Sequence, residues 1–238
     1  MDREQHVCLV CGFNMIGFHP ANCPFCGAAS KHFITAEECS ARFKVVATPV
    51  NSKVTRLNSQ PALGIEHAAY RIETPQGSCW IDCPSSFDAS LQKTDAILFT
   101  HHHFLGACNL YRELFSAEIH IHHDDSDHDL CRPFTFDVAF REGFVRHGIE
   151  AHHVGGHTPG FTCYIFEEVL FICDYVFLDG LGMKYNPFGP AGRTVEGGRL
   201  IHDLLEGRAL STVCGYNYVA GYEDWKGRFE AGPLYGGF

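Results

Sequence analysis

Four cysteines crowd into residues 8 to 26, and they come as two pairs, Cys8-x-x-Cys11-Gly12 and Cys23-Pro24-x-Cys26-Gly27. Two residues between the members of a pair let both thiolates turn toward one point. The glycine that follows relieves the tight turn this creates. Two such half-sites make a tetrahedral site of four sulfurs, which suits zinc or a single iron. A chain that opens this way must fold its first segment around an ion. Residues 1–38 are therefore expected to form a small metal-binding head, and 39–238 a second domain.

The rest of the chain is ordinary enough to exclude several classes. With 238 residues, 45% hydrophobic and 19% charged, it can bury a sizeable core and is not disordered. The balance of 18 Lys+Arg against 28 Asp+Glu, with no basic cluster, argues against nucleic acid and anionic membrane surfaces as partners. No apolar run approaches the ~20 residues of a membrane span. Met1 to His6 lacks the apolar stretch of a secretory signal, so a cytoplasmic protein is expected. The eight further cysteines (Cys39, Cys79, Cys83, Cys108, Cys131, Cys163, Cys173, Cys214) sit singly, several in apolar runs, as buried thiols do.

The pattern alternates strands with helices, which argues α/β. Thr35-Ala-Glu-Glu38 is a capping box opening a short helix that ends before Phe43. Glu66–Glu73 and Ser78–Asp82 are expected as strands around the turn Thr74-Pro-Gln-Gly77. Ala96–Phe99 is a continuous apolar run, as in a strand buried on both faces. A helix over 106–115, strands over 118–121 and 149–154, and a hairpin of 161–166 with 169–173 follow. A helix over 194–206 and a last strand at 211–214 complete the chain.

The 16 histidines cluster at 101–103, 120–123 and 152–157. Thr100-His-His-His103 leaves the buried run, and two histidines two apart at a strand's end can aim at one point. Gly156-His157-Thr158-Pro159-Gly160 follows another strand, and Asp174 ends a third. Neutral imidazoles with a carboxylate suit zinc or iron(II). His102 should face away from that point. His120 and His122 alternate with isoleucines and are expected on a polar face. Asp124, Asp125, Asp127, His128 and Asp129 are expected in a solvated loop rather than a further metal patch, and Glu66 and Arg71 at the surface. One of His152 and His153 is expected near the pocket rim.

These motifs resemble the metallo-β-lactamase superfamily over residues 45–220: His101-x-His103, the intact Gly-His-Thr-Pro-Gly of 156–160, Asp174, and Asp82 at an early strand's end. The resemblance implies an αββα sandwich with metal at one sheet edge. It also implies a mononuclear site, because the positions of the second ion's ligands carry Leu105, Gly106 and Tyr216. His101, His103, His157 and Asp174 remain as metal ligands. Persulfide dioxygenases of the superfamily hold iron at the positions matching His101, His157 and Asp174, which leaves His103 as a support. Tyr216 either donates a hydrogen bond to a bound oxygen species or plugs the vacancy. The head resembles the rubredoxin-like module of rubrerythrins, with Phe33 as its aromatic, which implies iron, although a zinc ribbon has nearly the same sequence.

The expected function is that of a redox enzyme with one Fe(II) or Zn in the His/Asp site and one Fe or Zn in the four-cysteine head, which relays electrons. Catalysis is assigned to His101, His157, Asp174 and Tyr216. The expected partners are a small-molecule substrate, an electron-donor protein and a second copy of the chain, whose site the head would approach. The alternatives are a single-zinc hydrolase of thioesters or similar esters with a structural zinc ribbon, and a non-catalytic sensor or scaffold. Segments 182–195 and 216–238 are expected to wall the pocket.

Overall fold

The computed structural model describes residues 4–179 and 182–232. Residues 1–3, expected to lack a signal, and 233–238, expected to help wall the pocket, lie outside them. The chain divides into two compact units, one of residues 1–121 with 126–139, the other of 122–125 with 140–238.

In the first unit β1 (Gln5–Cys8), β2 (Asn14–Ile16) and β3 (Phe33–Thr35) form a three-stranded ribbon in the order β2-β1-β3. Thr35 caps α1 (Ala36–Arg42): its hydroxyl accepts from the Glu38 amide at 3.1 Å and the Glu38 carboxylate accepts from the Thr35 amide at 3.0 Å. Then come β4 (Lys44–Pro49), β5 (Val54–Gln60), β6 (Ala69–Thr74), β7 (Gly77–Ile81), β8 (Ala96–Leu98), α2 (Cys108–Phe115), β9 (Glu118–His122) and β10 (Val138–Phe140), while α3 (His123–Ser126), between the last two, belongs mostly to the second unit. The seven strands β4 to β10 make one sheet in reverse chain order. The register is antiparallel from β4 to β7 and parallel from β7 to β9. The parallel step from β8 to β9 needs a crossover, and α2 supplies it.

The ribbon is not a free appendage. Cys8, Cys11, Phe13 and Met15 share one buried cluster with Trp80, Ile97, Phe99 and Tyr111 of the sheet and α2. The buried Asn14 donates to the Ser85 carbonyl at 3.0 Å and accepts from Gln5 at 2.7 Å, while Gln5 accepts from Asn109 at 2.8 Å. Phe25 lies 5.4 Å from the His103 ring of its own chain. The ribbon therefore reaches His103 of its own chain.

Three surface expectations fail in this unit. The Glu66 carboxylate accepts from the Ser85 amide (2.6 Å), the Ser59 amide (2.9 Å) and the Ser59 hydroxyl (2.9 Å), so it knits loop to strand. Arg71 is largely covered and pairs with Glu73. His120 and His122 are only 5% and 2% exposed, so both faces of β9 are covered and alternation there does not mark a wet side.

The second unit holds β11 (Phe144–Arg146), β12 (Ile149–His153), β13 (Thr162–Phe166), β14 (Val169–Cys173), β15 (Val176–Asp179), β16 (Gly182–Tyr185), α4 (Ala191–Leu205), β17 (Thr212–Gly215), β18 (Val219–Gly221) and α5 (Tyr222–Ala231). Its main sheet runs β11-β12-β13-β14-β17-β18, and β15 pairs with β16 alone. The strand at 211–214 is thus not the last: β18 pairs back on it and α5 follows. All eight single cysteines are buried, and none of them is in a disulfide. No helix among the described residues is long and apolar enough to cross a membrane.

Candidate metal centres

The ribbon sulfurs sit at ligand spacing. Cys8 Sγ is 3.8 Å from Cys26 Sγ and Cys11 Sγ is 3.7 Å from Cys23 Sγ, and all four lie within 4.8 Å of one another. Four sulfurs around one ion at ~2.3 Å stand about 3.8 Å apart on a tetrahedron's edges. Disulfides need ~2.05 Å. The hydrogen bond from Cys11 pulls the Cys23 thiol down to about 5, and the same bond, with burial, pushes Cys11 up. Four thiols this close cannot all ionise without a cation among them. The donor set fits a tetrahedral metal.

In the first unit His101 and His103 leave β8 in the turn before α2. Asp82, just past β7, holds that turn. Its carboxylate accepts from the Thr100 amide at 2.9 Å and from the Thr100 hydroxyl at 2.9 and 3.0 Å. Thr100 Oγ1 is also 3.0 Å from His101 Nδ1. The hydroxyl has one proton and gives it to Asp82, so it accepts from Nδ1–H. That tautomer leaves the lone pair of His101 on Nε2, the state a metal ligand needs. Asp82 adopts φ 58°, a strained value for a non-glycine, at this point of the chain. His102 is buried and stacks on His128 at 3.9 Å, so it turns to protein rather than to water.

Leu105 is 1% exposed in the core. Gly106 adopts φ +56°, and a Cβ there would overlap the carbonyl oxygens of Cys83 and Pro84. The positions where the resemblance expects an aspartate and a histidine are therefore closed by packing and by backbone, as well as by residue type.

In the second unit β14 meets β17 with a register shift between Phe171 and Cys173, and Cys173 adopts φ 45°. A bulge of this kind re-aims the next side chain, here Asp174. His157 Nε2 lies 3.5 Å from Asp174 Oδ2, both side chains at most 5% exposed. Asn186 serves both: its Nδ2 is 2.8 Å from Asp174 Oδ2 and 3.2 Å from His157 Nε2, and its Oδ1 accepts from the Phe188 amide at 3.0 Å. The amide donor stands where a cation would draw on the same two atoms. Donation to His157 Nε2 puts the lone pair on that nitrogen, so a buried imidazole and a buried carboxylate are presented in ligand form. Tyr216 follows β17. Its amide donates to the Cys173 carbonyl at 2.9 Å and its ring packs on Phe177 at 5.2 Å.

Two residues that hold this half were not expected from sequence. Asn186 is one. The other is Asp125, placed in a solvated loop by its acidic neighbours but fully buried. It accepts from the Thr158 hydroxyl at 2.8 Å and the Gly160 amide at 2.7 Å, and so fixes the turn that carries His157. A carboxylate in a run of aspartates gives no sign of which member is buried. Of the two histidines considered for the rim, His153 stacks on His122 at 3.8 Å, and Asp124 joins them in a further His/Asp group.

No protein-family model matches the sequence, and no curated protein does. Solved structures do resemble it. The metallo-β-lactamase FIM-1 from Pseudomonas aeruginosa, in a mono-zinc form, matches with TM-score 0.65 at 12% identity, over 90% of this chain and 96% of that one. VMB-1 at pH 5.5 matches with TM-score 0.64 at 13% identity, over 79% and 95%. TTHA1623, in a di-iron-bound form, matches with TM-score 0.52 at 22% identity, over 66% and 90%. At these identities the likeness speaks for architecture, and with the four sulfurs at tetrahedral spacing the chain is an α/β protein of the metallo-β-lactamase fold that begins with a four-cysteine metal ribbon.

Proposed function

We propose that the chain is an oxidoreductase in which His101, His157 and Asp174 hold one non-haem iron, with His103 as a further ligand or a support. In this reading residues 1–38 carry electrons and 39–238 carry out the reaction, with a donor protein supplying reducing equivalents and a small molecule as substrate. Iron in a tetrathiolate site supplies one-electron transfer, and iron on two histidines and a carboxylate leaves positions for oxygen and substrate. The residues do the rest. Asp82 and Thr100 keep His101 in its ligand tautomer. Asp125 holds the His157 turn. Tyr216, one residue past the β17 end, serves in this reading as a hydrogen-bond donor to a bound oxygen species. The closed positions Leu105 and Gly106 support a single ion.

One observation carries the redox reading. Phe25 lies between the ligands Cys23 and Cys26 in sequence, and its ring packs on His103 at 5.4 Å. A ribbon that only stabilised the fold would need no aromatic bridge to a ligand histidine. The likeness to a protein described in a mono-zinc form favours a second reading, a single-zinc hydrolase with a structural zinc ribbon.

Metal analysis with visible spectroscopy on protein prepared without oxygen separates these. The expected result is iron in both sites, with ferric tetrathiolate absorption that bleaches on reduction. It should return with oxygen and a candidate substrate such as a persulfide, and only while His157 is intact. A colourless protein with two zinc ions replaces this reading with the hydrolase. A metal-free His/Asp site leaves a scaffold.

A further inference from the structure

The first unit contains a cavity of about 480 Å³ between the ribbon and the turn that carries His103. Phe13, Phe18, Pro24 and Phe25 of the ribbon line it, and His103 and His128 complete the lining. This volume falls within the range of small-ligand pockets. We propose that the ribbon builds the binding pocket for an uncharged small molecule with a flat apolar body. Calling that molecule the substrate rests on the reading of His103 as part of the metal centre.

Three features select this ligand class. Phe13 and Phe25 lie nearly parallel, 13° apart, and present flat apolar surface. Phe18 is 40% exposed at the lip, an aromatic left toward water where a ligand would cover it. The carboxylate among the lining residues, Asp129, is largely exposed and pairs with the Arg132 guanidinium at 2.7 Å, so screening by water leaves it little pull on a ligand. A charged ligand would lose its hydration with no opposite charge to receive it. A flat apolar one gains contact with the ribbon rings.

The ribbon metal acts on this pocket through the backbone. Pro24 and Phe25 are the two residues between Cys23 and Cys26, so closing the thiolates on an ion fixes the loop that carries this wall. The ribbon is then a specificity element as well as an electron carrier.

The test uses the metal-loaded full chain and the uncharged fluorophore N-phenyl-1-naphthylamine. Saturable binding with one site per chain is expected. Phe18→Ser and Phe25→Ala should each weaken it by about tenfold, the loss of one aromatic face. Phe18→Ser removes an exposed side chain and should leave the fold intact. Phe188→Ser, at an 82% exposed position of the other unit, should bind as the parent does. No saturable binding, or unchanged binding in both ribbon variants, overturns the proposal. His157→Ala keeps the two readings apart: probe binding should survive it, so a failed metal centre with an intact pocket condemns the function and not the pocket.

Discussion

In the proposed reading, single residues decide how many ions the main domain can hold. Gly106 and Leu105 occupy the positions where the resemblance expects ligands, which invites restoration by substitution. The backbone forbids it. Gly106→His would put a side chain on a residue at φ +56° whose Cβ overlaps two carbonyl oxygens. It should cost more than about 2 kcal/mol and add no metal, as thermal unfolding and metal counting would show. Leu105→Asp buries an unpaired carboxylate at a 1% exposed site and should cost about 3 kcal/mol. Asp125 works in the opposite direction. Asp125→Ala leaves the buried Thr158 hydroxyl and Gly160 amide without their acceptor, at about 2–4 kcal/mol for the two. Because that turn carries His157, main-site metal affinity should fall by about 10- to 100-fold, measured by competition with a chromophoric chelator. An affinity equal to the parent's would show that the turn holds itself.

At the scale of elements, α4 is tied to the main sheet of the second unit by charge. Arg208, just past α4, donates to both carboxylate oxygens of Glu150 on β12 at 2.9 and 3.2 Å, and His152 lies 2.9 Å from the same carboxylate. Arg208, and after it His152, hold the Glu150 carboxyl below the usual range. A depressed carboxyl contributes stability above its unfolded value, near 4.3, and loses it as pH falls through the lower folded value. Both side chains are about one-third exposed, so screening limits the pair to about 1 kcal/mol. Urea unfolding of Glu150→Gln against the parent should show that gap at pH 7 and its disappearance below about pH 4. A gap that persists in acid would assign the loss to packing. Elements such as β12 were legible because period and burial agreed. The β13–β14 hairpin, α1 with its box, and α2 follow from apolar runs, a cap and a turn. β15–β16 was missed because it is a hairpin outside the main sheet, and α5 because Gly227 and scattered charges hide its buried Tyr222, Trp225 and Phe229. The candidate ligand positions stood out as rare residues at strand ends, whereas Asn186 and Asp125 act through contacts distant in sequence, which no local pattern carries.

At the scale of the whole molecule, two cysteine pairs so close in sequence invite the expectation of a ribbon that gains and loses its metal without consequence for the rest. The packing argues otherwise. Cys8, Cys11 and Cys23 are at most 3% exposed, and all three belong to the cluster that contains Trp80 and Phe99. A structural tetrathiolate metal contributes about 10–16 kcal/mol to the fold it closes, more than a domain's whole net stability of about 5–15 kcal/mol. Removing it should therefore loosen the core of the first unit and not the ribbon alone. Trp80 can report this, because it is fully buried and packs edge-on against Tyr111 at 4.8 Å. The chain has 2 tryptophans, so a Trp225→Phe background leaves Trp80 as the single emitter. Stripping the ribbon metal with a chelator, or preventing its binding with Cys8→Ser, should shift Trp80 emission to the red and expose it to a soluble quencher. The Asn14 and Gln5 hydrogen bonds that seat the ribbon on Ser85 and Asn109 should open together with that change, which hydrogen exchange at the β1 and β2 amides would register. An emission that stays blue while the metal leaves would mean that the sheet holds its core unaided and that ribbon and body are separate folding units.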